Sequence, residues 1–378
     1  MRVLTLTPFY PTASDDAVGC FVAEPVRALE EFEVESCVVA VQPFYRARSS
    51  PNGHPAQWVR YVAIPGGTGL ASSGAFLYAT LLSRIRKLHA HHRIDLVHAH
   101  AALPCGHAAM LLSRELRIPF LVTVHGLDVF FMAQVGGYAG QWCRRVALSV
   151  YRAAARVVCI SRRVADELAD GAGADAQVRV IHNGVDPQHF SPGQSSTGCP
   201  NILSVGTLIP SKGHEVLLRA FAVLHERYPN VLCHIIGDGP QLSRLAQLAR
   251  DLSVASKVQF LGRQSRKQVA EAMRRCTIFA LPSRYEGLGC VYLEAMSAEK
   301  PAIACRGQGI EDVIQHGENG WLVDPDDLTG MTKALSILLE DGELRRRIGV
   351  AARNSILCGY TVRHQATRLA QLYQECVS

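Results

Sequence analysis

Two glutamates bracket a glycine-rich turn in Pro282-Ser-Arg-Tyr-Glu-Gly-Leu-Gly-Cys-Val-Tyr-Leu-Glu294, with residues 287–293 between them. A short apolar strand precedes this segment, and a helix is expected to begin near Cys290. The first N–H groups of a helix have no partner within it, so those of Gly289, Cys290 and Val291 suit an anion at the positive end of the helix dipole. Glu286 lies before the turn and Glu294 about one helical turn inside, so both can reach one ligand from different sides. Ionised carboxylates only accept hydrogen bonds, and each can take them from vicinal sugar hydroxyls. Read in isolation, the same pair is equally compatible with a surface glutamate and a helix-stabilising one.

Two more loops could approach such a ligand. Ser204-Val-Gly-Thr-Leu-Ile-Pro-Ser-Lys-Gly213 runs from a strand end to a helix start. Gly206 and Gly213 permit close backbone approach, and Lys212 can bring a point charge to a phosphate; a lone lysine in such a loop is more often simply solvated. The first strand leads into Pro8-Phe-Tyr-Pro-Thr-Ala-Ser-Asp-Asp-Ala-Val-Gly19. No G-x-G-x-x-G stands there, which argues against a dinucleotide site at the first turn. Gly19 would let backbone come close to a ligand, or serve only as a turn residue.

The elements that must position these groups alternate along the chain. Strands are expected at 2–7, 36–42, 96–99, 120–125, 157–160 and 179–182, with helices at 23–35, 76–90, 106–116, 141–155 and from Ser161, a capping residue. The stretch from Asn183 to Pro200 carries Asn-Gly, X-Pro and Pro192-Gly-Gln-Ser-Ser-Thr-Gly198 turn signals, and is read as the interdomain hinge. A second series follows, with strands at 201–205, 231–236, 258–261, 277–281 and 301–305. Its helices are expected at 214–227, 240–252, 266–275 and 290–298, with a last amphipathic helix at 362–373. Short apolar strands alternating with amphipathic helices indicate parallel sheets covered on both faces. The expected architecture is α/β, with two Rossmann-like domains facing each other across a cleft. Their expected limits are 1–190 and 191–361, with 362–378 crossing back to the first domain.

With 378 residues, 48% of them hydrophobic and 19% charged, the chain can bury two cores. The formal charge of +6 suits an anionic substrate or membrane surface and does not require nucleic acid. No apolar run approaches the roughly 20 residues of a membrane span, and the first residues read as a strand rather than a signal peptide. The twelve cysteines fall in no zinc spacing, and most sit in apolar segments, as expected for reduced core thiols in the cytoplasm. His98 and His100 share a strand face without a third metal ligand, which favours structural or acceptor-side roles. The basic runs around Arg84, Arg86, Lys87 and Arg93, and around Arg144, Arg145, Arg152 and Arg156, read first as solvated helix faces. Contact with a membrane surface is the second reading.

Taken together, these segments resemble glycosyltransferase family 4, of the GT-B fold. Glu286 and Glu294 match its E-x7-E motif. Asp95-Leu-Val-His-Ala-His100, Val122-Thr-Val-His-Gly-Leu-Asp128, Val180-Ile-His-Asn-Gly-Val-Asp186, Val205–Gly213, Ile236-Gly-Asp-Gly-Pro240, Gly307-Gln-Gly-Ile-Glu-Asp312 and His316–Val323 follow in the family's order. Gly19-Cys-Phe-Val and the run from Gly307 resemble the branch that makes cell-surface polysaccharides such as teichuronic acid.

The resemblance implies a retaining hexosyltransferase that moves a sugar from a nucleotide diphosphate to an acceptor hydroxyl, with neither metal nor other cofactor. By that resemblance Glu294 holds the donor ribose, Glu286 the hexose, and Lys212 the diphosphate. The amides of Gly289, Cys290 and Val291 bind the distal phosphate, and Gly19 lets the first loop approach it. His125 stands near the transferred sugar, Asp128 at the acidic position after it, and Arg263 where backbone reads the base. Catalytic roles fall to His125, Glu286 and Lys212. Thr207, also in the donor site, stands where many members carry arginine, and Arg284 or Arg306 could replace that charge. The expected partners are the nucleotide sugar and a saccharide or lipid-linked saccharide acceptor, met in the cytoplasm or at the inner membrane face. A nucleotide-sugar epimerase and a non-catalytic nucleotide-sugar-binding subunit are the alternatives.

Overall fold

The computed structural model describes residues 1–13, 15–46, 56–64, 69–126, 137–172, 177–193 and 199–378. They form two compact units, Met1–Asn183 with Val362–Ser378, and Gly184–Thr361. Residues 184–190, expected in the first domain, thus belong to the second. Phe190 explains this: it is fully buried, and its carbonyl accepts from Ser297 Oγ at 2.8 Å.

The first unit holds strands β1 (Arg2–Thr7), β2 (Glu35–Pro43), β3 (Ala56–Tyr61), β4 (Leu96–His100), β5 (Phe120–Val124), β6 (Arg156–Cys159) and β7 (Val178–Val180), with helices α1 (Cys20–Ala28), α2 (Leu70–His91), α3 (His107–Leu116), α4 (Gly137–Ala153) and α5 (Arg162–Ala172). The strands form one parallel sheet in the order β3-β2-β1-β4-β5-β6-β7. Edge strand β3 is absent from the sequence-based expectation. The helix expected at 23–35 begins earlier, at Cys20, and gives way to a 3-10 turn at Leu29–Phe32 that ends on left-handed Glu33. Ser161 does cap α5, its hydroxyl accepting from Val164 N–H at 3.2 Å.

The second unit holds β8 (Asn201–Val205), α6 (His214–Arg227), β9 (Leu232–Ile236), α7 (Leu242–Asp251), β10 (Val258–Phe260), α8 (Arg266–Arg275), β11 (Ile278–Ala280), α9 (Cys290–Ser297), β12 (Ala302–Cys305), β13 (Trp321–Val323), α10 (Leu328–Glu340) and α11 (Gly342–Gly359). Its parallel sheet runs β10-β9-β8-β11-β12-β13. Ile202, Leu217, Phe221, Ile235, Ile278, Ile303 and Leu335 are among the residues of its core. Helix α12 (Val362–Val377) returns to the first unit, where Ala366, Leu369 and Tyr373 pack with Val3, Leu96 and Leu121.

Strand order determines where a ligand can sit. In open parallel sheets the crevice lies beyond the carboxyl ends of the two strands where the winding direction reverses. In the first unit these are β1 and β4, and in the second β8 and β11. The loops that leave β8 and β11 are 206–213 and 281–289, the two that carry Lys212 and Glu286.

Candidate functional site

The two loops of the second unit touch at their bases. The Arg284 N–H donates to Ser211 O at 2.7 Å. Gly213 has a φ of +69°, and a Cβ there would lie 1.9 Å from Pro282 O, so only glycine allows this crossing. Above it, the Lys212 ammonium forms an ion pair with Glu286 Oε2, and both side chains are largely buried. Ser283 Oγ donates to the same oxygen at 3.3 Å. The Glu286 backbone is held from the other side: its N–H donates to Gln308 Oε1 at 2.9 Å, and Gly309 N–H donates to its carbonyl at 3.1 Å. Lys212 and Glu286, far apart in sequence, thus form one polar centre at the reversal point of the sheet.

Helix α9 starts on Gly289, at φ +81°, with no side chain capping it. A Cβ on Gly289 would sit 2.6 Å from the Tyr292 ring and 2.8 Å from Glu286 Cγ. Cys290 and Val291 open the helix, and a helix start carries N–H groups with no partner within the helix, which suits an anion. Inside the helix, Glu294 is buried and its Oε1 accepts from Arg266 Nη1 at 2.9 Å. Burial pushes the Glu294 carboxyl above its ordinary range, and the Arg266 charge opposes that shift. Thr207 and Arg263 are both exposed. Arg284 and Arg306 are engaged with acids: Arg284 Nε lies 2.7 Å from Asp326 Oδ1, and Arg306 Nε 3.6 Å from Asp324 Oδ1.

In the first unit a column of histidines runs along β4 and the end of β5. Residues two apart on a strand share a face, which aligns His98 with His100. Their rings stack at 4.5 Å, and those of His100 and His125 at 5.2 Å. His98 bonds Tyr373 OH of α12 at 2.6 Å and Thr123 Oγ1 at 2.7 Å. His100 Nδ1 lies 3.0 Å from His125 Nε2, so one of the two nitrogens donates and the other accepts. Burial lowers His98 and His125 to about 3, and His100 well below its ordinary value, so all three rings are neutral near pH 7. Phe9 and Phe21 pack against His125, with ring centroids 5.8 and 4.8 Å away. The bonds of His98 and His100 tie α12 and His125 to β4.

Gly19 proves to be constrained by its own unit. At φ +75°, a Cβ on it would lie 2.4 Å from the Phe9 and Tyr10 backbone. Close approach of the chain to itself thus accounts for this glycine. Asp128 lies outside the described residues. Arg266, Ser283 and Gln308 join these residues although residue type and spacing do not single them out: Ser283 and Gln308 fall within the Pro282–Glu294 and Gly307–Asp312 segments, and Arg266 opens a helix. Among the described residues no three His, Cys, Asp or Glu side chains gather as a metal site, and no helix is long and apolar enough to cross a membrane.

The family model described as Glycosyltransferase Family 4 matches residues 18–189, and that described as Glycosyl transferases group 1 matches residues 186–355. A GDP-mannose-dependent alpha-(1-6)-phosphatidylinositol monomannoside mannosyltransferase of Mycolicibacterium smegmatis is 30% identical over 311 residues, 78% of this chain and 80% of the relative. Among solved structures, sucrose-phosphate synthase from Thermosynechococcus elongatus matches with a TM-score of 0.79 at 20% identity, over 99% of both chains. Anabaena HepE, in complex with UDP and glucose, matches with a TM-score of 0.78 at 19% identity, over 99% of this chain and 100% of that one. The chain belongs to glycosyltransferase family 4 and has the GT-B fold.

Proposed function

We propose that this glycosyltransferase moves a hexose-type sugar from a nucleoside diphosphate to an acceptor hydroxyl, with retention of anomeric configuration and without a metal. The Lys212–Glu286 centre beside the start of α9 is the observation that carries the reading. The bond from the anomeric carbon to the distal phosphate breaks as negative charge builds on the leaving diphosphate. Lys212 and the α9 amides offset that charge where a divalent cation would otherwise be needed. Glu286 and Glu294 accept hydrogen bonds from the hexose and the ribose. The acceptor oxygen bonds the anomeric carbon on the face the diphosphate leaves, and its proton passes to the departing phosphate oxygen. The backbone at Arg263 meets the donor's base in this reading. Thermal shift with UDP, GDP and ADP, followed by hydrolysis of the matching sugar nucleotides, tests it: a chain stabilised by none of the three would refute a nucleotide-sugar donor.

The product is proposed to enter a cell-surface polysaccharide or glycolipid, made on the cytoplasmic side from a saccharide or lipid-linked saccharide acceptor. The outer side of α4 supports peripheral membrane contact, since Tyr138, Trp142, Arg144 and Arg145 are exposed there.

Transfer should persist in excess EDTA. Loss of activity on chelation, with recovery on adding Mg²⁺ or Mn²⁺, would remove Lys212 and the α9 start from the role of cation. The glutamates should also separate. Glu294→Ala should weaken nucleoside diphosphate binding by about 1–3 kcal/mol, through loss of charged hydrogen bonds to ribose. Glu286→Ala should leave that affinity nearly intact and reduce transfer. Calorimetry on both variants tests the division, and equal weakening would contradict it.

A further inference from the structure

Arg266 lies between two buried groups. On one side its guanidinium carbon stands 5.0 Å above the ring of Phe190, itself fully buried. On the other, its Nη1 donates to Glu294 Oε1 at 2.9 Å. The two charged side chains are only 12% and 8% exposed. The backbone is equally fixed, because Arg266 opens α8 behind a capping box formed by Ser265 and Gln268. A guanidinium could grip a carboxylate with two parallel bonds, but here the contact uses one oxygen. Among the described residues no hydrogen bond reaches Glu294 Oε2.

A buried carboxylate with a single partner is costly to keep charged. We propose that Arg266 is a positioning residue of the donor site, holding Glu294 ionised with Oε1 occupied and Oε2 left to accept from the donor's ribose hydroxyls. This rests on the reading of Glu294 as the ribose ligand. Arginine suits the task because it stays charged at every working pH and its flat face packs on Phe190. The groups around Glu294 are Arg266 from α8 and His189 from the segment before β8, while Arg353 of α11 reaches the far end of α9, at Ser297 O. Burial drives the Glu294 carboxyl toward its neutral form and Arg266 opposes it. Without the arginine, the carboxyl would take up a proton at higher pH and lose acceptor strength as pH falls.

The test is calorimetric affinity for whichever of UDP, GDP or ADP binds the wild type most tightly, measured from pH 6 to 8.5. Dividing each affinity by that of Glu294→Gln cancels the phosphate's own titration. The wild-type ratio should stay flat. Arg266→Met and Arg266→Gln, either of which serves if folded, should lose about threefold at pH 8.5 and about thirtyfold at pH 6. Arg266→Lys should restore the flat profile. In a Glu294→Gln background, Arg266→Met should change affinity by less than about twofold. A loss independent of pH, a loss that persists beside Glu294→Gln, or a wild-type ratio that falls with a midpoint inside this range would each overturn the proposal. Unchanged affinity in Glu294→Ala would instead overturn the ribose reading itself, whereas a weakened Glu294→Ala with no pH slope in Arg266→Met would refute only the role of Arg266.

Discussion

Lys212→Ala is expected to weaken nucleoside diphosphate binding by about 1.5–3 kcal/mol, roughly ten- to a hundredfold, and to cut transfer by about a hundredfold or more. The larger effect on transfer follows from when the charge is needed, since the leaving diphosphate becomes more negative as the sugar departs. The family's usual second cation is absent, because Thr207 occupies its place. The two arginines that could replace it are engaged elsewhere: Arg284 with Asp326 and with Pro210 O, which braces the turn carrying Lys212, and Arg306 with Asp324. Lys212 also neutralises Glu286, so in the proposed donor site its removal would leave that carboxylate unpaired beside the phosphates. The Lys212→Ala, Glu286→Gln double variant separates the two contributions, and any recovery measures that repulsion. Thr207 is exposed, so Thr207→Arg should find room and tighten diphosphate binding. Tighter product binding would slow turnover if release is limiting. Diphosphate affinity at fixed salt decides the matter; a mild Lys212→Ala effect would mean that another cation already stands in the arginine's place.

Much of this arrangement was legible in the sequence, for identifiable reasons. Short β-branched strands and amphipathic helices have strong periods, so most elements of the second unit lie close to their expected bounds. The E-x7-E spacing likewise placed Glu286 and Glu294 on either side of a helix start. Helices α10 and α11 went unread although each carries a cap: Asp327 accepts from Gly330 N–H and Asp341 from Leu344 N–H, both at 2.8 Å. Contacts between remote segments carry no local signal. Nothing in the spacing says that Glu286 pairs with Lys212, that Arg266 meets Glu294, or that His98 meets Tyr373 from the other end of the chain. Gly19 shows a limit of residue type, since a glycine beside a ligand and one beside its own backbone look alike in sequence.

His125→Ala is expected to reduce turnover about ten- to a hundredfold, at least about 1.4 kcal/mol of transition-state stabilisation, while leaving nucleoside diphosphate affinity within about twofold. The reading is that its neutral ring contacts the transferred sugar. His100 fixes that ring through the 3.0 Å bond to Nε2, so His100→Ala should lower turnover in the same direction with a smaller effect. Because burial holds His125 to about 3, below the ordinary histidine value, it stays neutral from pH 5 to 8 and should add no ionisation to the rate profile there. A limb near pH 6.5 that vanishes in His125→Ala would contradict this. The same depression fixes the sign of a stability effect. Unfolded, His98 and His125 take up protons as pH falls below about 6.5, whereas the folded rings resist until about 3. Their contribution is therefore complete above pH 6.5 and lost progressively as pH drops through that window. His125→Ala should flatten this decline in a denaturant series between pH 7 and 4. Turnover and melting measured on one preparation separate the two roles: a native melt with near-normal turnover would leave His125 a structural member of the column and take it out of the chemistry.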